Sequence, residues 1–593
     1  MKRLMVLLLV MTLLFTIFAA GCSKSTNTDA SNANDKSSDT NDSSDADNNQ
    51  TADADDGPVT PAGQFPIVKE PITLRVYREG TLTDDQLESI SDNGVVKHIF
   101  EKTNIQLEFV HLNAAEGKQK MILDFAAGEY PDAGFLDWNT MLTRSDIIQY
   151  GTKEQILLPL NDLIDKYGFE IKTIFELRPQ HRAFITAPDG EIYGIPRFTE
   201  CYHCMSYPKL WFNYDWLEKL GLEEPQTTEE LYEVLKAFKT QDPNGNGKAD
   251  EIPLTGSIEW SCALEYYLMN SFIYTDAAFS STNPRPFLSW IDGEVTFVAD
   301  KPEYKEGLEW MKKLYDEGLI DPANFTQNAE ALSQQCRSEV PTVGGYTSDH
   351  IGMGIDFNNT EINAMYHALP PVEGPNGVRY QPYQDPLSQL PGFNFAIFDT
   401  CEYPEAAFRL ADYFLGEEML FILHYGIEGI NWERPSDPDA KNISGGPLKC
   451  VPINLPEDAP EEKVEEQSNN SLWMGLLGDL VERRDMWSPA ATDETLLTNY
   501  ETRLHWETQK TEKYWPEMTL PRNLFMDLEI SDEFAELKTN ITNHVQKNTS
   551  MFITGARDLS EWDDYVKELQ QFGLERYIEI YRDAYNQFQE HMK

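Results

Sequence analysis

Between Ile72 and Leu136 strand and helix patterns alternate, and that order constrains the fold more than any other feature. Ile72-Thr-Leu-Arg-Val-Tyr77 is β-rich and alternating. Val95 to Thr103 reads as a helix, Ile105 to Val110 as a second strand, and Gly117 to Ala127 as a second helix. Gly128-Glu-Tyr-Pro-Asp132 ends that helix, and Ala133 to Leu136 forms a third, short buried strand. Strands joined through helices need crossover connections, so the pattern predicts a parallel sheet in an α/β fold. Ligands of such sheets bind beyond the carboxyl ends of the strands, which places Arg78, Glu79, Asp137 and Trp138 beside a cleft. At 593 residues the chain is too long for one core, so two or more domains are expected.

The first 22 residues have another purpose. Lys2 and Arg3 precede an apolar run from Met5 to Ala20, too short to span a bilayer and followed by small residues, as in a signal peptide. Ala19-Ala20-Gly21-Cys22 resembles the bacterial lipobox, with Ala19 where leucine is usual. Residues 1–21 are read as the signal, and Cys22 as the lipidated residue that attaches the chain to the membrane, its only contact with lipid. Residues 22–64 are built from Ser, Thr, Asn, Asp, Ala and Gly and form a flexible tether.

Charge narrows the partners. With 99 acidic against 48 basic residues the net charge is −51, which repels phosphate backbones and excludes nucleic acid. Neutral solutes fit such a surface best. Of the six cysteines beyond Cys22, Cys201 and Cys204 form a CxxC without the second pair a zinc site needs, so the motif is structural or incidental. A local disulfide is compatible with an extracellular location, but pairing does not follow from sequence.

Residues 210–256 hold a strand, two helices and a loop crowded with oxygen donors. Thr227 and Glu230 form a capping box at the start of one helix, and Leu231, Val234, Leu235 and Phe238 share a face. The loop Asp242-Pro-Asn-Gly-Asn-Gly-Lys-Ala-Asp-Glu251 repeats side-chain oxygens at Asp242, Asn244, Asn246, Asp250 and Glu251. Calcium takes six to eight such oxygens, yet an EF-hand needs glutamate at position 12, where Pro253 stands. A polar Asn-Gly turn without metal is the alternative. Tyr304 to Glu317, Glu402 to Gly416 and Ser560 to Met592 are further helical regions.

An ordered set of segments resembles the extracellular solute-binding proteins of ABC importers, family 1, in its large Gram-positive lipoprotein group. The segments are Ala127-Gly-Glu-Tyr-Pro-Asp132, Asp189-Gly-Glu-Ile-Tyr-Gly-Ile-Pro196, Tyr214-Asp-Trp-Leu-Glu-Lys-Leu-Gly-Leu222 and Lys313-Leu-Tyr-Asp-Glu-Gly-Leu-Ile-Asp321. Tyr403-Pro-Glu-Ala406, Tyr425-Gly-Ile-Glu-Gly429 and Met551-Phe-Ile-Thr-Gly555 complete it. The resemblance implies a two-lobe periplasmic-binding-protein-like fold with discontinuous lobes, hinge strands and a central ligand cleft. Lobe one is expected over 66–206 and 343–402, and lobe two over 207–342 and 403–593. It further implies delivery of an oligosaccharide or related solute to ABC permease subunits, by a monomer without enzymatic activity.

The acidic loop is similar to that of the alginate-binding members. That similarity implies calcium ligands at Asp242, Asn244, Asn246, Asp250 and Glu251 by side chain and at Lys248 by carbonyl, in a structural role.

Sugars offer apolar faces to aromatic rings and hydroxyl edges to polar side chains. The aromatic candidates near loops after strands are Trp138, Tyr193, Trp260, Tyr346, Phe393 and Trp432, with Arg78, Asp137, Arg197 and Glu428 as polar partners. The competing functions are a secreted glycoside hydrolase, which needs a carboxylate pair that no segment marks, and a sensor or adhesin without transport.

Overall fold

The structure is a computed structural model and describes residues 58–593 except 81, 138–139, 260, 277–285 and 474–479. Cys22, the signal segment and the tether up to residue 57 lie outside the described residues, as do Trp138 and Trp260.

The strands, in chain order, are β1 (Ile72–Glu79), β2 (Ile105–Leu112), β3 (Ala133–Phe135), β4 (Phe198–Glu200), β5 (Lys209–Asn213), β6 (Leu288–Ile291), β7 (Glu294–Phe297), β8 (Gly345–Ser348), β9 (Tyr366–Leu369), β10 (Phe395–Ile397), β11 (Trp432–Glu433), β12 (Val451–Pro452) and β13 (Val481–Arg483). The first sheet has the order β10-β3-β1-β2. β1 runs parallel to β2 and β3, with Val76 opposite both Phe109 and Ala133, while β10 closes the edge antiparallel to β3. The crossovers are the expected helices, Gly94–Thr103 and Gly117–Ala127. Gly128 ends the second with φ +70, a left-handed conformation that a residue with a Cβ adopts only at a cost.

The second sheet, β8-β5-β9, is antiparallel. Its central strand, Lys-Leu-Trp-Phe-Asn, is buried along its whole length. The helix Thr228–Thr240 starts at the Thr227–Glu230 capping box and packs Phe238 onto Phe212 and Trp216, both with ring centres 5.1 Å away. Burying one such ring contributes about 2–3 kcal/mol.

Strand pairing cuts across the expected lobe bounds. β8 and β9 fall in the segment 343–402 assigned to lobe one, yet both pair with β5 of the second sheet. Conversely the helix Pro404–Phe414, assigned to lobe two, packs on β10 and on the helices Asn161–Tyr167 and Glu170–Leu177 of the first. Farther along, β13 pairs in parallel with β4. Three segments therefore lead from one sheet towards another: 201–208 from β4 of the two-stranded β13-β4 sheet to β5, 370–394 from β9 to β10, and 484–499 from β13 to the helix Tyr500–Gln509, which packs on β9. Local patterns mark strands and helices but not which distant strand completes a ladder.

Candidate functional site

β4 and β13 run side by side in the same direction, with Glu482 opposite Thr199 and Arg483 opposite Glu200. The two chains therefore leave their strands at the same end, where an α/β arrangement holds its ligands. Two adjoining hollows of about 470 and 340 Å³ open there and share Arg484 and Glu501 in their walls.

Aromatic rings line this cleft. The Tyr202 ring lies 4.5 Å from the His505 imidazole and 5.4 Å from Trp515, and Trp487 stacks on His424 at 4.3 Å. Ion pairs join the crossing segments. Arg484 Nη1 donates to Glu501 Oε1 at 2.7 Å and its Nε to Glu482 Oε1 at 2.6 Å, while Arg197 Nη2 reaches Glu482 Oε2 at 3.0 Å. His203 Nε2 lies 2.9 Å from Glu501 Oε2. Burial alone would raise the Glu501 carboxyl, but the His203 hydrogen bond and the Arg484 charge outweigh it and hold the group down at about 2. Burial lowers His203, while the Glu501 hydrogen bond and charge act against that.

Beneath the cleft, Glu507 is fully buried on the helix Tyr500–Gln509. It accepts from Arg503 Nε (2.9 Å), Lys510 Nζ (2.7 Å) and the Ala368 amide (3.1 Å), and meets His367 Nδ1 at 2.7 Å. This cluster fastens the helix to β9. Another hollow of about 470 Å³ runs along the edge strand β2 past Phe109 and His111, without comparable paired charges or stacked rings.

The sequence-derived candidates divide sharply. Arg197 reaches the cleft network, one residue from β4. Tyr193, Tyr346, Phe393 and Trp432 are core residues instead. Tyr193 donates to Asp189, Tyr346 to the Ile351 carbonyl and the Trp432 indole to the Gly426 carbonyl, while Phe393 faces Phe525. Arg78 is also fully buried, with Nη2 on the Gly80 carbonyl and His111, and Nε and Nη1 unpartnered. Asp137 is half-buried, its amide donating to Glu79, and Glu428 forms an exposed pair with Arg434. Tyr202, His203, Arg484, Trp487, Glu501 and His505 were missed, because no motif spans their three segments. The one available signal was the aromatic and histidine content between Cys201 and Cys204, two residues that the structure joins in a disulfide. Their sulfurs are therefore not free for zinc.

The loop 242–251 folds onto itself. Asp242 accepts backbone N–H groups from Asn246 (3.1 Å) and Gly247 (3.0 Å), and Asn246 Oδ1 accepts from Lys248 (2.8 Å). Both asparagine amides face Asp250. Glycines with φ +69 and +74 at 245 and 247 permit the coil. Burial, then Asp242 and Asp250, push the Glu251 carboxyl up, and its Oε1 is buried without a partner. The donors are all oxygens, and one buried carboxylate oxygen among them has no partner, which suits a hard dication.

Relatives agree with this architecture. The fructooligosaccharide ABC transporter substrate-binding protein FusA of Streptococcus pneumoniae serotype 4 is 28% identical over 517 residues, covering 84% of this chain and 87% of that protein. A FusA EF-hand mutant from S. pneumoniae in complex with fructo-nystose superposes with a TM-score of 0.63 at 23% identity, covering 88% of this chain and all of the other. An extracellular solute-binding protein from Bifidobacterium longum subsp. infantis gives a TM-score of 0.67 at 21% identity, covering 88% of this chain and 98% of that one. The family profile described as bacterial extracellular solute-binding protein matches residues 85–419, more than half of the sequence, and the chain belongs to that family.

Proposed function

We propose that this protein captures a neutral oligosaccharide in the cleft around Arg484 and Glu501 and delivers it to an ABC permease. The observation that carries the choice of ligand is the neutralisation of the cleft by its own charges. Arg484 is held between Glu482 and Glu501, and Arg483 and Arg178 both reach Glu200 (2.9 and 3.7 Å). These arginines are already engaged, whereas rings and fixed polar edges suit uncharged polyols. A fructo-oligosaccharide is the first candidate, by analogy with the pneumococcal relative.

In this reading the lobes close on the sugar by bending the three crossing segments. Calcium sits in the loop, held by Asp242, Asn244, Asn246, the Lys248 carbonyl, Asp250 and Glu251, and supplies charge neutralisation that stiffens the second lobe. Cys22 carries the lipid that keeps the monomer at the outer face of the cell membrane.

The test is calorimetric titration with kestose, nystose and polygalacturonate fragments. Tight binding of a neutral oligosaccharide without product release supports the reading. Preference for the uronate, or release of monosaccharide, rejects it.

A further inference from the structure

The segment 201–208 carries no ladder hydrogen bonds, because β4 ends at Glu200 and β5 begins at Lys209. It still presents two side chains at the cleft in fixed positions. Tyr202 donates from its hydroxyl to Glu512 Oε2 at 2.9 Å, and its ring packs on His505. His203 meets Glu501. All three partners lie in the segment 501–512, so the turn is matched to the helix Tyr500–Gln509, while Cys201 follows directly on β4 of the β13-β4 sheet.

Such a turn, free of strand pairing, loses its shape when the flanking chain bends. Here a disulfide between Cys201 and Cys204 closes it, with Cα atoms 5.2 Å apart. Further supports are attached from outside. Gln389 and Gln384 donate to the carbonyls of Cys201 (3.3 Å) and Cys204 (2.8 Å), and the buried Lys209 donates to those of His203 (3.3 Å) and Ser206 (2.5 Å). The two glutamines belong to another crossing segment, which must itself bend if the lobes rotate. Within the turn itself there are only the bridge and two long backbone hydrogen bonds of a single 3-10 turn, Met205 N–H to the Tyr202 carbonyl and Ser206 N–H to the His203 carbonyl, both 3.3 Å, and of these the bridge alone is covalent.

We propose that the Cys201–Cys204 disulfide is a positioning device of the ligand cleft, holding Tyr202 and His203 in the orientation that receives the solute. The sulfurs themselves make no contact with the ligand. The bridge keeps ring and imidazole aligned with Glu501, His505 and Glu512 while residues 205–208 flex. This role rests on the cleft being the saccharide site.

The experiment compares the full chain with its C201S/C204S and C201A/C204A variants. Wild type opened by excess dithiothreitol serves as a third form: the reagent gives two electrons and two protons, leaving two cysteine thiols and its own cyclic disulfide. Because the closed ring spans only four residues, the melting temperature is expected to fall by no more than about 5 °C. Backbone amide exchange should rise at residues 201–206 and at the start of the helix Tyr500–Gln509, and stay unchanged in β1 and β5. The dissociation constant for kestose should rise about tenfold or more.

A purely structural bridge would not alter the pH profile, which provides a separate readout. In the closed turn, burial lowers His203, with Glu501, Lys209 and Arg484 as its charged neighbours. Once released, the imidazole titrates near its ordinary value of about 6.5, and kestose affinity acquires a pH dependence centred there.

Unchanged exchange at 201–206 in all three opened forms overturns the proposal, whatever the ligand. Unchanged kestose affinity in opened forms also overturns it, provided that Trp487→Phe weakens binding. If wild type binds none of the oligosaccharides, or Trp487→Phe changes nothing, the reading of the cleft fails, and the exchange data alone decide whether the bridge orders the turn.

Discussion

The loop at 242–251 and the cleft at Arg484 are opposite ways of building a site. The loop draws its oxygens from ten consecutive residues, coiled through left-handed backbone at Asp242, Gly245 and Gly247. The cleft draws on segments near 200, 384, 484 and 501, brought together by a parallel strand pair and three passages between sheets. A local site can form wherever its backbone can coil. A dispersed site exists only once both layers have folded, so its affinity depends on residues that never touch ligand.

The largest expected effect is at one such residue. Glu507→Gln leaves the buried Arg503 and the half-buried Lys510 without their carboxylate and should cost about 3–5 kcal/mol in urea unfolding. His367, Lys510 and Arg503 outweigh burial and hold the Glu507 carboxyl at about 2, against an ordinary 4.5. The unfolded chain thus binds more protons between pH 4.5 and 2. Wild-type stability is fully present above 4.5 and falls as pH drops through that window, and the variant should show a flatter fall.

Chelation tests the other side of the comparison. Removing an ion present at about 100 times its dissociation constant should lower stability by about 2.7 kcal/mol while kestose affinity stays within about twofold. Loss of saccharide binding on chelation would break the contrast, because the loop would then be coupled to the cleft. Arg484→Gln and Trp487→Phe should each weaken kestose about tenfold, or about 1.4 kcal/mol, with calcium affinity unchanged. The smallest effect belongs to Gly247→Ala. No atom lies within 4 Å of the added Cβ, so the cost is only the backbone penalty at φ +74, about 1 kcal/mol, read as a weaker calcium titration.

Legibility followed the same divide. The strands at Ile72, Ile105 and Ala133, their crossover helices and the Thr227 cap were readable because each depends on neighbours within a few residues. Arg197 reached the cleft network because it lies just before β4. Tyr346 and Trp432 were misplaced for a common reason: large rings after glycine-rich turns look the same in sequence whether the surface above them is open or filled. Glu501 and Arg484 carried no sign at all, since an acidic and a basic residue in a chain with 147 charged side chains are distinguished only by what they face.

The sequence by itself determined the α/β class, the family resemblance, the signal and tether pattern, and the run of oxygen-bearing side chains in the acidic loop. These rest on periodicity, composition and spacing, which are short-range properties. Only the tertiary structure decided that β8 and β9 complete the second sheet, that Cys201 pairs with Cys204, and that Tyr202, His203, Trp487 and Glu501 meet in one cleft. Those outcomes depend on contacts between residues up to about 300 positions apart, and such contacts form only when burial of two separate cores fixes the path of the chain between them.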